Sequence, residues 1–334
     1  MGLGILIDGK WVSEREQEDS QGRFIRPQTT FRNKITADGS SDFKAEAGRY
    51  HLYISWACPW AHRTAIMRKL KGLEDAIGLS VVGAVIDQNS WEFTNEPGSI
   101  PDTVNNNSYL WQLYLQADSN YSGRVTVPVL WDKQTGTIVN NESREIIRMF
   151  DTEFNGITKN DVNLCPEDLY DNIEETIDKI YQPINNGVYR AGFASSQLAY
   201  EEGVKDLFAA LDYWEDVLSK QRYLCGDRLT EADICLFTTL VRFDPVYYVH
   251  FKCNLRHIWE YPNLGNYLKD IYQHPGVKET CNFDHIKRHY YMSHPKVNPT
   301  KIVPVGPEID LDSPHNRASI DISGKDSETI TAPF

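Results

Sequence analysis

No apolar run in this 334-residue chain approaches the roughly 18 residues that a membrane-spanning helix needs, so no membrane partner is expected. Basic residues are in deficit. The 34 Lys and Arg face 47 Asp and Glu, a net charge of −13. Such a chain repels phosphate backbones, which argues against a general nucleic-acid binder. The opening MGLGILIDGKWVS has neither the basic start nor the long apolar stretch of a signal peptide, and Leu6 breaks a myristoylation pattern begun by Gly2. There is no glycine-rich nucleotide loop. Cysteine is scarce too. Six cysteines in a chain long enough to bury a large core read as reduced thiols of a cytoplasmic protein rather than as three disulfides. What remains is ordinary for a folded protein: 41% hydrophobic and 24% charged residues exclude a disordered chain or a coiled-coil rod. The length fits about two domains.

The pattern along the chain divides it in four. Residues 1–47 are polar and turn-rich and read as an extended arm. Residues 48–155 carry a β-α-β-insert-β-β-α order. A buried strand at His51–Ser55 is followed by a helix that Gly72 ends, then by a second buried strand at Leu79–Ile86. A polar, aromatic insertion at about 87–122 is long enough to be functional or to hold short helices of its own. RVTVPVLWD, the turn KQTG and TIVNN then form a hairpin, and Glu142–Phe150 a helix. Pro128 falls inside the first hairpin strand and marks it as an edge or an exception. This order matches a thioredoxin-like α/β domain. From 160 to 309 the helical period dominates and predicts an all-α domain. Within it Thr230 and Asp233 form a capping box, flanked by Leu229 and Ile234 as a hydrophobic staple. Residues 310–334 are polar and aperiodic and predict a disordered tail.

One residue stands out chemically. Cys58 lies between a buried strand and a helix, with Pro59 at the first helical turn, where a missing N–H costs nothing. The unpaired N–H groups and positive end of the helix favour a thiolate, the reactive form in disulfide exchange. Position 61 is Ala61 rather than a second cysteine, so the resolving thiol must come from outside. That spacing predicts a monothiol mechanism. Cys281, His285 and His289, spaced i, i+4, i+8, share a helical face like metal ligands. The span is wide for one ion and no fourth ligand is evident, so a mixed helix face is expected and no metal site. Cys225 and Cys235 read as core residues.

SWACPWAHR, RVTVPVLWD, NNESREIIRMF, NNGVYRAGFA and DHIKRHYYMSHPKVNPTKIVPVGP together resemble the glutathionyl-hydroquinone reductases, the Xi class of glutathione transferases. The upstream FRNKITADGSSDFKAEAGRYHLYIS is similar to that family as well, so the likeness runs from about Phe31 to Pro307. It implies a thioredoxin-like α/β domain followed by an all-α glutathione-transferase domain. It also implies a homodimer built through the helical part, and glutathione as co-substrate with no tightly bound cofactor. Cys58 would be the nucleophile that takes glutathione from a glutathionyl-hydroquinone. Val127, before an implied cis Pro128, would pair with the peptide-like middle of glutathione. Glu142 and Ser143 would hold its γ-glutamyl end, though the pair also reads as plain helix capping. Trp91 and Arg124 would cover glutathione and bind its acidic groups. Tyr189 and Tyr290 would serve the hydroquinone, with Tyr291 open as an alternative to Tyr290. An Omega-like thioltransferase or dehydroascorbate reductase using the same Cys58 is the nearest rival, and a non-catalytic transferase-like binding module is a third reading.

Overall fold

The computed structural model describes residues 4–13, 18–158 and 160–320. It divides into two compact units. One takes the start of the chain to Gln17, Arg26–Asn163 and Glu279–Val303; the other takes Glu18–Ile25, Leu164–Lys278 and the chain from Pro304.

In the first unit a short hairpin, β1 (Ile5–Ile7) and β2 (Lys10–Val12), opens the chain. Leu6 bonds to Gly123 at both its N–H and C=O, so part of the expected arm is pinned. β3 (Ile35–Thr36) and β4 (Phe43–Lys44) form a second small pair. The central sheet follows: β5 (Tyr50–Ile54), α1 (Pro59–Leu70), β6 (Ile77–Val81), α2 (Leu110–Ala117) inside the insertion, β7 (Val129–Asp132), β8 (Thr137–Asn140) and α3 (Ser143–Thr152). The spatial order is β6-β5-β7-β8. β5 runs parallel to β6 and antiparallel to β7, and β7 runs antiparallel to β8. Every residue of β5 is buried, as a central strand covered on both faces requires.

Two strand expectations are corrected. β6 ends at Val81 rather than running to Ile86, because the chain leaves the sheet after Val82, whose N–H still donates to Ile54 C=O, and Gly83 N–H donates instead to Glu92 C=O. Pro128 lies just before its strand rather than inside it, and of the two readings given to that strand, edge or exception, the edge is the one that fails. β7 begins at Val129 and lies between β5 and β8. Proline has no N–H to give a ladder, so pairing starts after it.

The second unit is helical: α4 (Tyr170–Ile180), α5 (Gly187–Gly192), α6 (Gln197–Leu218), α7 (Glu231–Arg242), α8 (Tyr248–His250) and α9 (Pro262–Tyr272). Wide five-residue turns at Tyr181–Asn185 and Phe243–Tyr247 join α4 to α5 and α7 to α8. Each contains a proline, Pro183 or Pro245, which cannot donate a helical bond and so disturbs the regular ladder. The capping box is present. Thr230 N–H donates to Asp233 Oδ2 at 2.8 Å, and the Thr230 side chain accepts from the third helical N–H.

The units cut the chain differently from the expected 160–309 boundary. α10 (Phe283–Ser293) belongs with the sheet. Four bonds stitch it to residues 84–97: His285 Nε2 to Pro97 C=O (2.8 Å), Arg288 to Glu96 (2.6 Å), His289 Nδ1 to Ala84 C=O (3.1 Å), and Ile86 N–H to Ser293 Oγ (2.9 Å). Gly98, at φ +90°, permits this approach. A Cβ there would lie 2.6 Å from Asn282 Nδ2 and 2.7 Å from His285 Nε2. The tail also departs from expectation. To Ile320 it is ordered: Leu311 is buried, and fully buried Arg317 donates to the carbonyls of Leu218, Gln221 and Arg222. Residues 321–334 of the expected tail lie outside the described residues.

Candidate active site

β5 delivers the chain to Ser55, and Cys58 becomes the N-cap of α1 with extended backbone angles (φ −76°, ψ 119°). Pro59 occupies the first turn, and His62 N–H returns to Cys58 C=O at 2.9 Å. The half-buried sulfur thus sits at the positive end of a 12-residue helix. Cys58 Sγ lies 3.6 Å from the Val127 carbonyl oxygen. The Val127–Pro128 peptide is cis.

The segment before Pro128 is held by a residue that the sequence did not signal. Tyr114 of α2 is fully buried. Its hydroxyl donates to Thr126 C=O (2.8 Å) and accepts from Thr126 N–H (3.2 Å) and Asn141 Nδ2 (3.1 Å). Burial pushes the phenol's pKa above its ordinary value, so it stays a neutral donor. One side chain therefore ties the Val127 segment to the start of α3. There Glu142 is the N-cap. Its carboxylate accepts from Arg144 N–H and from Thr29 Oγ1, each at 3.3 Å. Buried Ser143 opens the helix, and its hydroxyl accepts from Arg63 Nη1 at 3.4 Å. Arg63 Cζ lies 4.4 Å from the Trp60 ring centroid, and Arg26 Cζ lies 5.0 Å from it. Both guanidiniums thus stack on an aromatic of the first turn of α1.

Trp91 is buried, only 3% exposed, and stacks on His289 of α10 with centroids 5.0 Å apart and planes 12° from parallel. Arg124 is half-buried, and its carbonyl accepts from the Tyr121 hydroxyl at 3.1 Å. Tyr290 and Tyr291 are buried on α10. Burial pushes the Tyr291 phenol up to about 12, so it is protonated at neutral pH.

The first unit therefore holds Cys58, Trp91, Arg124, Val127, Glu142, Ser143, Tyr290 and Tyr291. Tyr189 lies in the second unit, on α5, in an aromatic cluster with Phe193, Tyr247 and Phe251. Phe24, from the amino-terminal arm, stacks on it at 6.4 Å.

The Cys281, His285, His289 stripe does not form one face. Cys281 precedes the helix, whose N-cap is Asn282, and its sulfur lies 3.9 Å from His62 Nε2. The two histidines turn to separate carbonyls. Among the described residues no group of three or more His, Cys, Asp or Glu could hold a metal, and no helix is long and apolar enough to cross a membrane.

A thioredoxin-like sheet with a helix-capping cysteine beside a cis-proline turn, joined in sequence to a helical unit, defines a glutathione transferase. Residues 57–153 match the glutathione S-transferase N-terminal domain, and residues 197–270 its C-terminal domain. The chain is 53% identical over 323 residues to glutathionyl-hydroquinone reductase YqjG of Escherichia coli, covering 94% of this chain and 98% of that one. A Xi-class transferase from Natrialba magadii matches with a TM-score of 0.90 at 52% identity, over 95% of this chain and 97% of that one. The glutathione-bound structure of the E. coli YqjG protein matches with a TM-score of 0.86 at 53% identity, over 94% and 99%. The chain belongs to the glutathionyl-hydroquinone reductases, the Xi class of glutathione transferases.

Proposed function

We propose that the protein reduces glutathionyl-hydroquinones with glutathione, through a mixed disulfide on Cys58. The observation that carries this reading is Cys58 at the N-cap position of α1, its sulfur 3.6 Å from the Val127 carbonyl, with Ala61 where a second cysteine would stand.

The Cys58 thiolate attacks the sulfur of the aryl thioether. The carbon–sulfur bond breaks, its electron pair goes to the ring, and the ring takes a proton to leave as hydroquinone. Cys58 now holds glutathione as a disulfide. The thiolate of a second glutathione attacks that disulfide, leaves as oxidised glutathione and restores Cys58. In sum, one aryl thioether and one glutathione give one hydroquinone and one oxidised glutathione.

Val127 supplies backbone groups for the peptide-like centre of glutathione. Glu142 and Ser143 take the γ-glutamyl end at the start of α3, where helix N–H groups favour a carboxylate. Arg124 pairs with an acidic end, and Trp91 covers the bound molecule. Tyr189 and Tyr290 stabilise or protonate the charge that builds on the phenolic ring. The cytoplasm, where glutathione is abundant and thiols stay reduced, suits this chemistry. A homodimer through the helical unit belongs to the same reading.

An Omega-like thioltransferase would use the same cysteine, so the tyrosines discriminate. Tyr189→Phe and Tyr290→Phe should lower turnover of a glutathionyl-hydroquinone by about 100-fold while changing turnover of a small glutathione mixed disulfide by less than about threefold. Equal loss on both substrates would move the assignment to the thioltransferase.

A further inference from the structure

Between the residue proposed to cover glutathione and the residue proposed to serve the hydroquinone stands His289, to which neither half of the chemistry gives a task. The residue is buried, 6% exposed. One face stacks on Trp91, 5.0 Å away and 12° from parallel. The Tyr290 ring stands nearly perpendicular to it at 5.1 Å and 82°, and the His294 ring does so at 5.6 Å and 77°. The ring's rotation is also held from outside this cluster. Nδ1 lies 3.1 Å from the Ala84 carbonyl, and a carbonyl only accepts, so Nδ1 carries the hydrogen. Ala84 is fixed in turn, since its N–H donates to Glu96 Oε1 at 2.6 Å and Glu96 is paired with Arg288, the preceding residue on α10.

We infer that His289 is a positioning residue that holds the Trp91 indole in its covering orientation and ties it to Tyr290, so that the glutathione side and the hydroquinone side of the first unit are set by one imidazole. The inference rests on the proposed roles of Trp91 and Tyr290. The stacking plane is held jointly by the bond to Ala84 and by the flanking rings of Tyr290 and His294. Loss of the ring removes the aromatic surface under Trp91, whereas loss of only the donor leaves that surface in place. Tyr290 meets the same ring edge-on, so a tilt of the imidazole cannot reorient one aromatic without the other.

The test uses the full chain and steady-state kinetics on a glutathionyl-hydroquinone with glutathione varied. His289→Asn keeps an N–H donor for Ala84 and removes the ring; His289→Phe keeps a ring and removes the donor. His289→Asn should raise KM for glutathione about five- to tenfold with kcat changed less than about twofold, the size of one lost aromatic stack. His289→Phe should return KM to within about threefold of the parent. Trp91→Ala should raise KM by itself, and adding His289→Asn to it should raise KM little further, because both remove one interaction. Two independent, multiplying effects would overturn the inference and leave the role of Trp91 standing. An unchanged KM in Trp91→Ala would overturn the role of Trp91 and the inference with it. A fall in kcat at constant KM that follows the folded fraction, read from thermal melts of the same samples, would make His289 structural only and overturn the inference.

Discussion

At the scale of single residues, what matters is how burial sets the state of each polar group. Asp233 is the clearest case. It is fully buried and accepts from the N–H groups of Leu224 and Thr230 and the hydroxyls of Tyr267 and Thr230, at 2.8–2.9 Å. Burial nevertheless pushes its carboxyl up to about 6, against the pull of those donors. The folded state then holds the proton more tightly than the unfolded chain, whose carboxyl titrates near about 3.9. Its contribution to stability is therefore full below pH ~4 and is lost as pH rises towards ~6, on the order of 2–3 kcal/mol. Urea unfolding of the parent and Asp233→Asn across this window should show the parent losing stability relative to the variant as pH rises. A difference flat in pH would contradict the raised pKa. The box was legible from Thr230 and Asp233 alone, because capping is local. The carboxyl's proton affinity was not, because the burial that raises it is made by elements distant in sequence, among them the helix that carries Tyr267, 34 positions further on.

At the scale of elements, the candidate site is built where helices begin. Cys58 caps α1 and Glu142 caps α3, and both were readable from short-range signals: a strand, a proline, an acidic residue before an apolar period. Tyr114 was not readable. A tyrosine in an eight-residue helix inside an insertion carries no local mark of bonding to residues 12 and 27 positions away. Tyr114→Phe should leave the Thr126 backbone groups and the Asn141 amide short of a buried partner. The expected cost is about 1–3 kcal/mol of stability, measured by denaturant unfolding, with a raised KM for glutathione because the Val127 segment loosens. Unchanged stability and KM together would show that water or a shifted neighbour replaces the hydroxyl. The docking of α10 escaped the sequence for a related reason. Its periodicity announces a helix but not which sheet or loop it meets. The bonds to Ala84, Ile86, Glu96 and Pro97 that decide this span 188 to 207 residues in sequence.

At the scale of the whole molecule, the two-part architecture was legible because the hydrophobic period changes from strand-like to helical near residue 160, while the crossing of segments between units was not. Residues 18–25 leave the arm for the helical unit, and residues 279–303 return to the sheet. Both exchanges bear on the roles proposed for the tyrosines, since Phe24 packs on Tyr189 and α10 carries Tyr290. A glutathione site on folded chain alone implies stabilisation by mass action. Glutathione at a hundred times its dissociation constant should add about 2.7 kcal/mol to unfolding. Cys58→Ser should keep that gain, because the binding groups assigned to Val127, Glu142 and Ser143 remain. A variant that folds but gains nothing would place the sulfur in binding rather than in chemistry.

The central claim is that Cys58 itself takes glutathione from an aryl carbon. Mass spectrometry of the protein mixed with a glutathionyl-hydroquinone, in the absence of free glutathione, tests it most directly. The account predicts one glutathione per chain, located on Cys58, with one hydroquinone released for each, and neither event in Cys58→Ser. Unmodified Cys58 beside intact substrate, or hydroquinone released by Cys58→Ser, would contradict it.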